Sequence, residues 1–170
     1  MSLAEELLEH ARFLAEFDPR TTSQANIRRA ISAAYYAVFH LLAMEVAAQI
    51  SPNFPIGLRE RTQRALHHKQ MFDVAIAFSQ AGGRPKSLPA DIELPDPVSV
   101  ELSSFAKSFK ELQEARHVAD YDVLKRHDPA DALALVQKAE KAFEDWRQER
   151  TSKNAPVFLA SMMFGRLWNR

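Results

Sequence analysis

The sequence contains no cysteine among its 170 residues. This absence excludes a disulfide scaffold, thiolate metal sites and a cysteine nucleophile, and it agrees with a reducing compartment. Neither sign of charge is in excess, because 22 basic residues balance 22 acidic ones. A neutral chain has no general attraction for nucleic acid or anionic membrane, so such binding would depend on a local basic patch. Neutrality is also compatible with self-association.

Features of secretion and membrane insertion are lacking too. The acidic residues Glu5 and Glu6 stand near the N-terminus, where a signal peptide needs basic residues. No apolar run approaches the ~20 residues of a membrane span. We therefore predict a soluble, cytoplasmic protein with no membrane partner.

The sequence also lacks the alternating pattern of half-buried strands and any repeat of solenoid length. Apolar residues recur instead at helical spacing, in runs that proline-containing segments separate. We predict an all-α fold, with an up-and-down bundle of about five helices over residues 1–150. An apolar tail over residues 151–170 is expected to pack on the bundle or on a second subunit. The five predicted helices run over residues 2–17, 23–49, 58–79, 97–126 and 129–146.

Local start and stop signals set these limits. Ser2 and Glu5 match the S-x-x-E capping box, and a helix ends before Asp18–Pro19. Asp96–Pro97 and Asp128–Pro129 each place an aspartate cap before a proline at the first helical position. The second helix has three candidate caps in a row, Thr21, Thr22 and Ser23. Residues 80–97 form the longest irregular segment, and a loop of this length is usually functional or partly disordered.

The second predicted helix carries a polar seam in which Arg29, Ser32, Tyr36 and His40 recur at helical spacing. A solvated face would more often carry Glu and Lys, and a buried face rarely carries Arg and His. One interpretation is a binding site, with Arg29 for an anionic group and His40 as an acid or base. The other, which the spacing favours, is a buried hydrogen-bond network.

A second polar cluster lies in the fourth predicted helix. Arg116 and Asp120 are four residues apart and can pair on one face, and His117 and Tyr121 do the same on the next face. We hypothesise that this cluster meets the seam of the second helix and forms one polar core with it.

A third candidate is the basic patch of Arg61, Arg64 and His68. It is either a phosphate-contacting surface or the solvated end of a helix, and the sequence favours neither. The adjacent pair His67–His68 lacks the spacing that places two metal ligands on one helical face. No glycine-rich phosphate loop and no nucleophile elbow is present. We predict neither a metal nor a cofactor.

Residues 28–40, with their basic start, small residues, Tyr-Tyr pair and final Phe-His, resemble the second-helix signature of HEPN domains. Arg116 before Ala-Asp-Tyr at 119–121 is similar to the second block of that family, and His67 or His68 falls where a histidine often opens its third helix. The resemblance covers about residues 1–150. It implies a helical bundle that commonly dimerises, often in toxin–antitoxin or defence systems beside a small nucleotidyltransferase.

Catalytic members of that family are metal-independent ribonucleases with an Arg-x(4–6)-His motif. After Arg116 the corresponding positions hold Tyr121, Asp122 and Val123, so no catalytic residue is carried over. We predict a homodimeric binding module for RNA, a nucleotide or a partner protein, with a nucleotidyltransferase-type antitoxin as one such partner. The alternatives are a ribonuclease toxin whose base is His117 or His68, and a structural adaptor. The predicted binding residues are Arg29, Tyr36, His40, Arg64, His68, Arg116, Asp120 and Tyr121.

Overall fold

The computed structural model describes residues 1–16, 23–50, 52–85 and 88–168, with only the backbone at Ile50. These residues form seven helices and no strand. The all-α prediction is confirmed, although the described part of the chain has seven helices and not about five. The helices are α1 (Leu3–Ala15), α2 (Gln24–Ile50), α3 (Ile56–Arg64), α4 (His68–Phe78), α5 (Val100–Tyr121), α6 (Pro129–Glu149) and α7 (Ala155–Trp168).

The chain divides into two compact units. The first comprises Met1–His40 and Ser108–Glu144, and the second comprises Leu41–Lys107 and Asp145–Arg170. The boundaries between the units fall within α2, α5 and α6.

The first unit begins with the predicted capping box. The Glu5 N–H donates to Ser2 Oγ at 3.3 Å, and the Ser2 N–H donates back to the Glu5 carboxylate at 2.7 Å. Helix α1 ends at Ala15, and the predicted stop at Phe17 and Asp18–Pro19 lies outside the described residues. Ser23 caps α2, because its Oγ accepts the Asn26 N–H at 3.2 Å. The other two candidate caps, Thr21 and Thr22, lie outside the described residues.

The core of the first unit is formed by small and aliphatic residues with one large aromatic pair. Tyr35 is fully buried and its ring lies 5.7 Å from that of Phe109, centroid to centroid. Such a tilted pair adds roughly 0.5–1.5 kcal/mol to the burial of the two rings. The other buried residues of this unit include Ala4, Ala11, Ile27, Ala30, Ile31, Ala34, Val38, Leu112, Ala132, Val136 and Ala139.

In the second unit, our prediction of a single helix over residues 58–79 was wrong. Two helices occupy this range, because the chain leaves the helix after Arg64 and His67 adopts an extended backbone with φ −111° and ψ 125°. The break buries Leu66 and gives α4 its own orientation, in which Met71, Val74 and Phe78 are buried. Nearly all side chains of α3 are exposed. If α3 continued straight into α4, the apolar side chains of α4 would not reach the core.

The limits of the fourth predicted helix were also wrong at both ends. Helix α5 begins at Val100, and its cap is Ser99, whose Oγ accepts the Leu102 N–H at 2.9 Å. It ends at Tyr121, because the Asp122 carboxylate accepts the N–H groups of Leu124 and Lys125 and so favours a turn over another helical turn. The predicted start of the next helix is confirmed, since Asp128 caps α6 through the Ala130 N–H at 2.8 Å.

Four aromatic rings form the centre of the second unit. The Phe158 ring of α7 lies 5.1 Å from Phe78, 6.0 Å from Phe105 and 5.9 Å from Trp146. Helix α7 therefore packs against α4 within this unit, and the Gln70 side chain joins the two helices by donating to the Ser161 carbonyl at 3.0 Å. The last two residues of the predicted tail, 169 and 170, lie outside the described residues.

Buried polar side chains fix the end of the long loop in the second unit; Lys86 and Ser87 in that loop lie outside the described residues. Asn154 is 3% exposed, accepts the Asp96 N–H at 3.3 Å and donates to the Asp96 carbonyl at 2.8 Å. These bonds hold the backbone at Asp96 out of the helix that we predicted to begin there. Glu149 is also buried and accepts the hydroxyl hydrogens of Ser99 and Ser152, which cap α5 and α7.

Replacing Asn154 by alanine is expected to lower the free energy of unfolding by about 1–3 kcal/mol, because the part-buried backbone N–H and carbonyl of Asp96 lose their hydrogen bonds to a buried side chain. Urea denaturation followed by circular dichroism measures this change. Asn53, which is exposed in a turn, provides the matched control, and its alanine variant should change stability by no more than about 0.5 kcal/mol. Equal stability of the two variants would contradict the proposed role of Asn154.

Among the described residues, one helix is long and apolar enough to cross a membrane by length and composition alone. It is the Gln24–Gln49 part of α2. This stretch is longer than our sequence prediction allowed. However, 67% of its most apolar stretch is buried inside the protein, and the core helix of a soluble protein can have the same length and composition.

Candidate functional site

In the first unit, α2 and α5 run antiparallel with side chains in register. Tyr36 meets Arg116, Ser32 meets Asp120, and Arg28 meets the Ala119 carbonyl at the end of α5. A step of four residues towards the N-terminus of α2, from Tyr36 to Ser32, therefore corresponds to a step of four residues towards the C-terminus of α5, as expected when one face of each helix meets the other. The hypothesis that the seam of α2 joins the polar cluster of α5 thus holds for Ser32 and Tyr36.

Arg116 lies at the centre of this contact, among all three tyrosines of the sequence. Its guanidinium carbon is 5.9, 5.3 and 5.6 Å from the ring centroids of Tyr35, Tyr36 and Tyr121. These distances allow cation–π attraction to each ring. The guanidinium also donates to the Tyr36 hydroxyl at 2.6 Å. Arg116 is thus held on several sides, and its side chain is only 18% exposed.

Asp120 neutralises this arginine. Its Oδ2 lies 2.7 Å from Arg116 Nε, an ion-pair contact one helical turn apart, and its Oδ1 accepts the Ser32 hydroxyl at 2.5 Å. Both carboxylate oxygens are therefore engaged within the protein. The carboxylate stabilises Arg116 and is poorly suited to repel an approaching anion.

Two ring systems border the network. Burial raises the pKa of the Tyr35 phenol, so this side chain stays neutral at physiological pH. His40 is half-buried, with ring centroids 6.5 Å from Tyr36 and 5.5 Å from Phe39. Burial lowers the pKa of His40, which favours the neutral imidazole. His40 therefore extends the aromatic side of the network.

Arg28 forms a clamp on the end of α5. Its guanidinium donates to three backbone carbonyls, those of Ala119 at 2.6 Å, Asp122 at 2.9 Å and Lys125 at 2.5 Å. The last carbonyls of a helix have no partner within the helix, and a cation at that end is also favoured by the helix dipole. Arg28 satisfies carbonyls of both the helix end and the loop that follows.

Gln24 forms a second clamp one helical turn earlier. Its amide nitrogen donates to the His127 carbonyl at 2.8 Å, and its amide oxygen accepts the His127 N–H at 3.0 Å. Burial, followed by the nearby charges of Arg28 and Lys125, lowers the pKa of the His127 imidazole. The loop between α5 and α6, residues 122–128, is thus bonded to the start of α2 by two side chains. We call it the clamped loop.

Beside these contacts lies an open groove of about 890 Å³, which α1, the first half of α2, the end of α5 and the clamped loop line. Ligand pockets are typically ~300–1,000 Å³. Among the described residues, four cationic side chains line the groove, namely Arg28, Arg29, Lys125 and Arg126, and Asp120 is the one carboxylate. Since Asp120 is already paired with Arg116, the lining has a net positive charge despite the neutral chain.

The predicted residues of the first unit fall into three groups around this groove. Arg29 and Tyr36 line it together with Asp120. Arg116 is not a lining residue but contacts Tyr36 and Asp120. Tyr121 is also outside the lining; it is 63% exposed, and its ring centroid lies 5.0 Å from that of His117. His40 is not among the lining residues of the groove.

Arg64 and His68, the remaining predicted residues, belong to the second unit. We placed them on one helical face, but α3 ends at Arg64 and α4 begins at His68, so this premise was wrong. Arg64 lies with Arg61 and Glu60 on a shallow surface of α3. Another pocket of this unit, beside Val74 and Leu88, has a volume of about 130 Å³, which is below the usual range for ligand sites.

Sequence reasoning missed Gln24, Arg28, Lys125 and Arg126. The available signal was the antiparallel arrangement itself, because it brings the start of α2 to the end of α5. A cation near the start of one helix can then serve the carbonyls that end its neighbour. Arg28 precedes Ser32 by four residues and Arg29 precedes it by three, so helical spacing places either arginine near the seam, and only the relative rotation of the two helices assigns Arg28 to the carbonyls.

The chain matches no family model, no curated protein and no solved structure. Within the described residues, no group of three or more His, Cys, Asp or Glu side chains is arranged to hold a metal ion.

Proposed function

We propose that this protein is a HEPN-like binding module that holds an anionic ligand, RNA or a nucleotide, in the groove of its first unit. One observation carries the proposal. Four cationic residues line the groove, and Asp120, the single carboxylate in the described part of its lining, is engaged by Arg116 and Ser32. The sequence resemblance supports three further parts of the proposal: a homodimer, a toxin–antitoxin-like setting and a nucleotidyltransferase-type antitoxin as partner. The proposed cytoplasmic location rests on the acidic N-terminal sequence and not on the resemblance.

The physical basis is local electrostatics. The side chains of Arg29, Lys125 and Arg126 are exposed at the groove, so phosphate groups can reach them from solvent. When cationic side chains neutralise phosphates, condensed counterions are released. The logarithm of the binding constant for a single strand therefore falls with the logarithm of the salt concentration, with a slope of ~0.7 per phosphate contact. Tyr36 adds an aromatic surface on which a base can stack.

Fluorescence anisotropy with a labelled single-stranded oligouridine at several salt concentrations tests this function. Arg29→Glu and Lys125→Glu are each expected to lower affinity at least about tenfold and to reduce the salt slope. The matched control is Arg61→Glu, which makes the same charge reversal at an exposed position on α3. If Arg61→Glu lowered the affinity more than Arg29→Glu, the binding site would lie on α3 and not in the groove. Absence of binding by the unmodified protein would refute the proposal.

A second candidate function is a metal-independent ribonuclease, and one observation favours it. His10 of α1 lines the same groove as Arg29. It could act in place of the histidine of the HEPN motif, which this sequence lacks after Arg116. An imidazole beside cations is suited to proton transfer during phosphodiester cleavage. Cleavage of RNA in excess EDTA that His10→Ala abolishes would identify this activity, whereas saturable binding without cleavage supports the binding module. His117 and His68, the bases considered from the sequence, are not among the lining residues.

A further inference from the structure

The clamped loop contributes two of the three exposed cations that the described residues supply to the groove. Lys125 and Arg126 stand side by side in it, and both line the groove. The clamp bonds involve Lys125 itself and the residue that follows Arg126. The Lys125 carbonyl accepts from Arg28, and the next residue after Arg126, His127, is bonded through both its N–H and its carbonyl to Gln24.

We infer that Arg28 and Gln24 are positioning residues that hold the clamped loop so that Lys125 and Arg126 face the ligand. This inference rests on the proposed function of the groove. Arg28 is therefore assigned a different role from its neighbour Arg29. Both line the groove and both carry a charge, but Arg28 uses its guanidinium on protein carbonyls, whereas the Arg29 side chain is exposed.

Hydrogen-bond geometry distinguishes positioning from direct charge contact. The planar guanidinium of Arg28 reaches three carbonyls with two nitrogen atoms, which the compact ammonium of a lysine cannot reproduce. A phosphate contact, in contrast, depends mainly on charge and tolerates lysine. Arg28→Lys should therefore be harmful and Arg29→Lys should be mild.

Pre-organisation explains why the clamp matters for binding. Each loop residue that must be ordered on binding costs conformational entropy, and a loop that is already ordered avoids this cost. The clamped loop has one bonded turn of its own, in which Asp122 accepts from Leu124 and Lys125. The described bonds that tie this turn and His127 to α2 come from Arg28 and Gln24.

The experiment compares Arg28→Lys with Arg29→Lys in the oligouridine titration described above. Arg28→Lys is expected to lower affinity at least about tenfold and to reduce the salt slope by about 1.4, the contribution of two phosphate contacts to a single strand. Arg29→Lys should change affinity less than about threefold and leave the slope unchanged. Equal effects of the two substitutions would overturn the positioning role.

The substitution Gln24→Ala provides a second test. It removes no charge, and its result does not depend on whether the Arg28→Lys variant folds. Hydrogen exchange is measured without ligand and compared with the unmodified protein. The His127 amide should exchange faster in Gln24→Ala, and the amides of the clamped loop should exchange faster in Arg28→Lys. Exchange in α7 should not change in either variant. Unchanged loop exchange or an unchanged salt slope in Gln24→Ala overturns the inference. Failure of the proposed function appears separately, as absence of oligouridine binding by the unmodified protein, and in that case the clamps serve the fold alone.

Discussion

Replacing Trp146 by alanine is expected to lower the free energy of unfolding by about 3–5 kcal/mol, the range for deleting a large buried aromatic side chain. Trp146 is 1% exposed, and its ring lies 5.2 Å from Phe105 and 5.9 Å from Phe158. The truncation would leave a cavity that these two rings cannot fill without moving. Urea denaturation followed by circular dichroism gives the stability of both proteins.

Two further variants make this prediction specific. Val100→Ala, at a position that is 70% exposed, should change stability by no more than about 0.5 kcal/mol. Trp146→Phe keeps an aromatic ring between the same neighbours and should cost less than Trp146→Ala. It also removes a buried indole N–H that has no hydrogen-bond partner among the described residues. A loss below about 1 kcal/mol for Trp146→Ala would show that this cluster is not the core of the second unit.

The second large effect is expected for Arg116→Ala, which should lower the free energy of unfolding by about 2–3 kcal/mol. The substitution leaves the Asp120 carboxylate, 24% exposed, without its cation, and it removes the bond to the Tyr36 hydroxyl. Partial exposure limits the loss, because water can solvate the abandoned carboxylate. Arg116→Lys should recover only part of the stability, since an ammonium cannot lie flat against several rings.

A double-mutant cycle of Arg116→Ala with Tyr36→Phe isolates the contact between the two side chains. We expect a coupling energy of about 1 kcal/mol, within the range for residues that share one hydrogen-bond network. Arg61→Ala, an exposed arginine on α3, is the control and should change stability by no more than about 0.5 kcal/mol. Zero coupling between Arg116 and Tyr36 would mean that the two polar clusters are adjacent without stabilising one another.

Helical periodicity and start signals were reliable guides where the local sequence controls the backbone. The capping box at Ser2 and the aspartate cap at Asp128 lie where they were predicted, because each involves bonds over only two or three residues. The same type of signal failed at Asp96. There a side chain distant in the sequence, Asn154, binds the backbone groups that a helix would have used.

Helix length was less predictable from pattern. Residues 58–79 contain no proline or glycine, so local propensity allows one helix through the whole range. The burial of Leu66 and of the apolar face of α4 instead separates α3 from α4. Tertiary packing outweighs local propensity here, because each propensity difference is worth only ~0.7 kcal/mol or less per residue, whereas each buried apolar side chain contributes ~1.5–3 kcal/mol.

The sequence alone determined that this protein is all-α and that Tyr36, Arg116 and Asp120 belong to polar faces of two helices. It suggested an anion contact for Arg29, but it could not assign a different role to Arg28, an identical residue beside it in the same helix. One residue step rotates the side chain by ~100° about the helix axis. Only the packing of α5 beside α2 decides that Arg28 meets three carbonyls while Arg29 remains exposed at the groove.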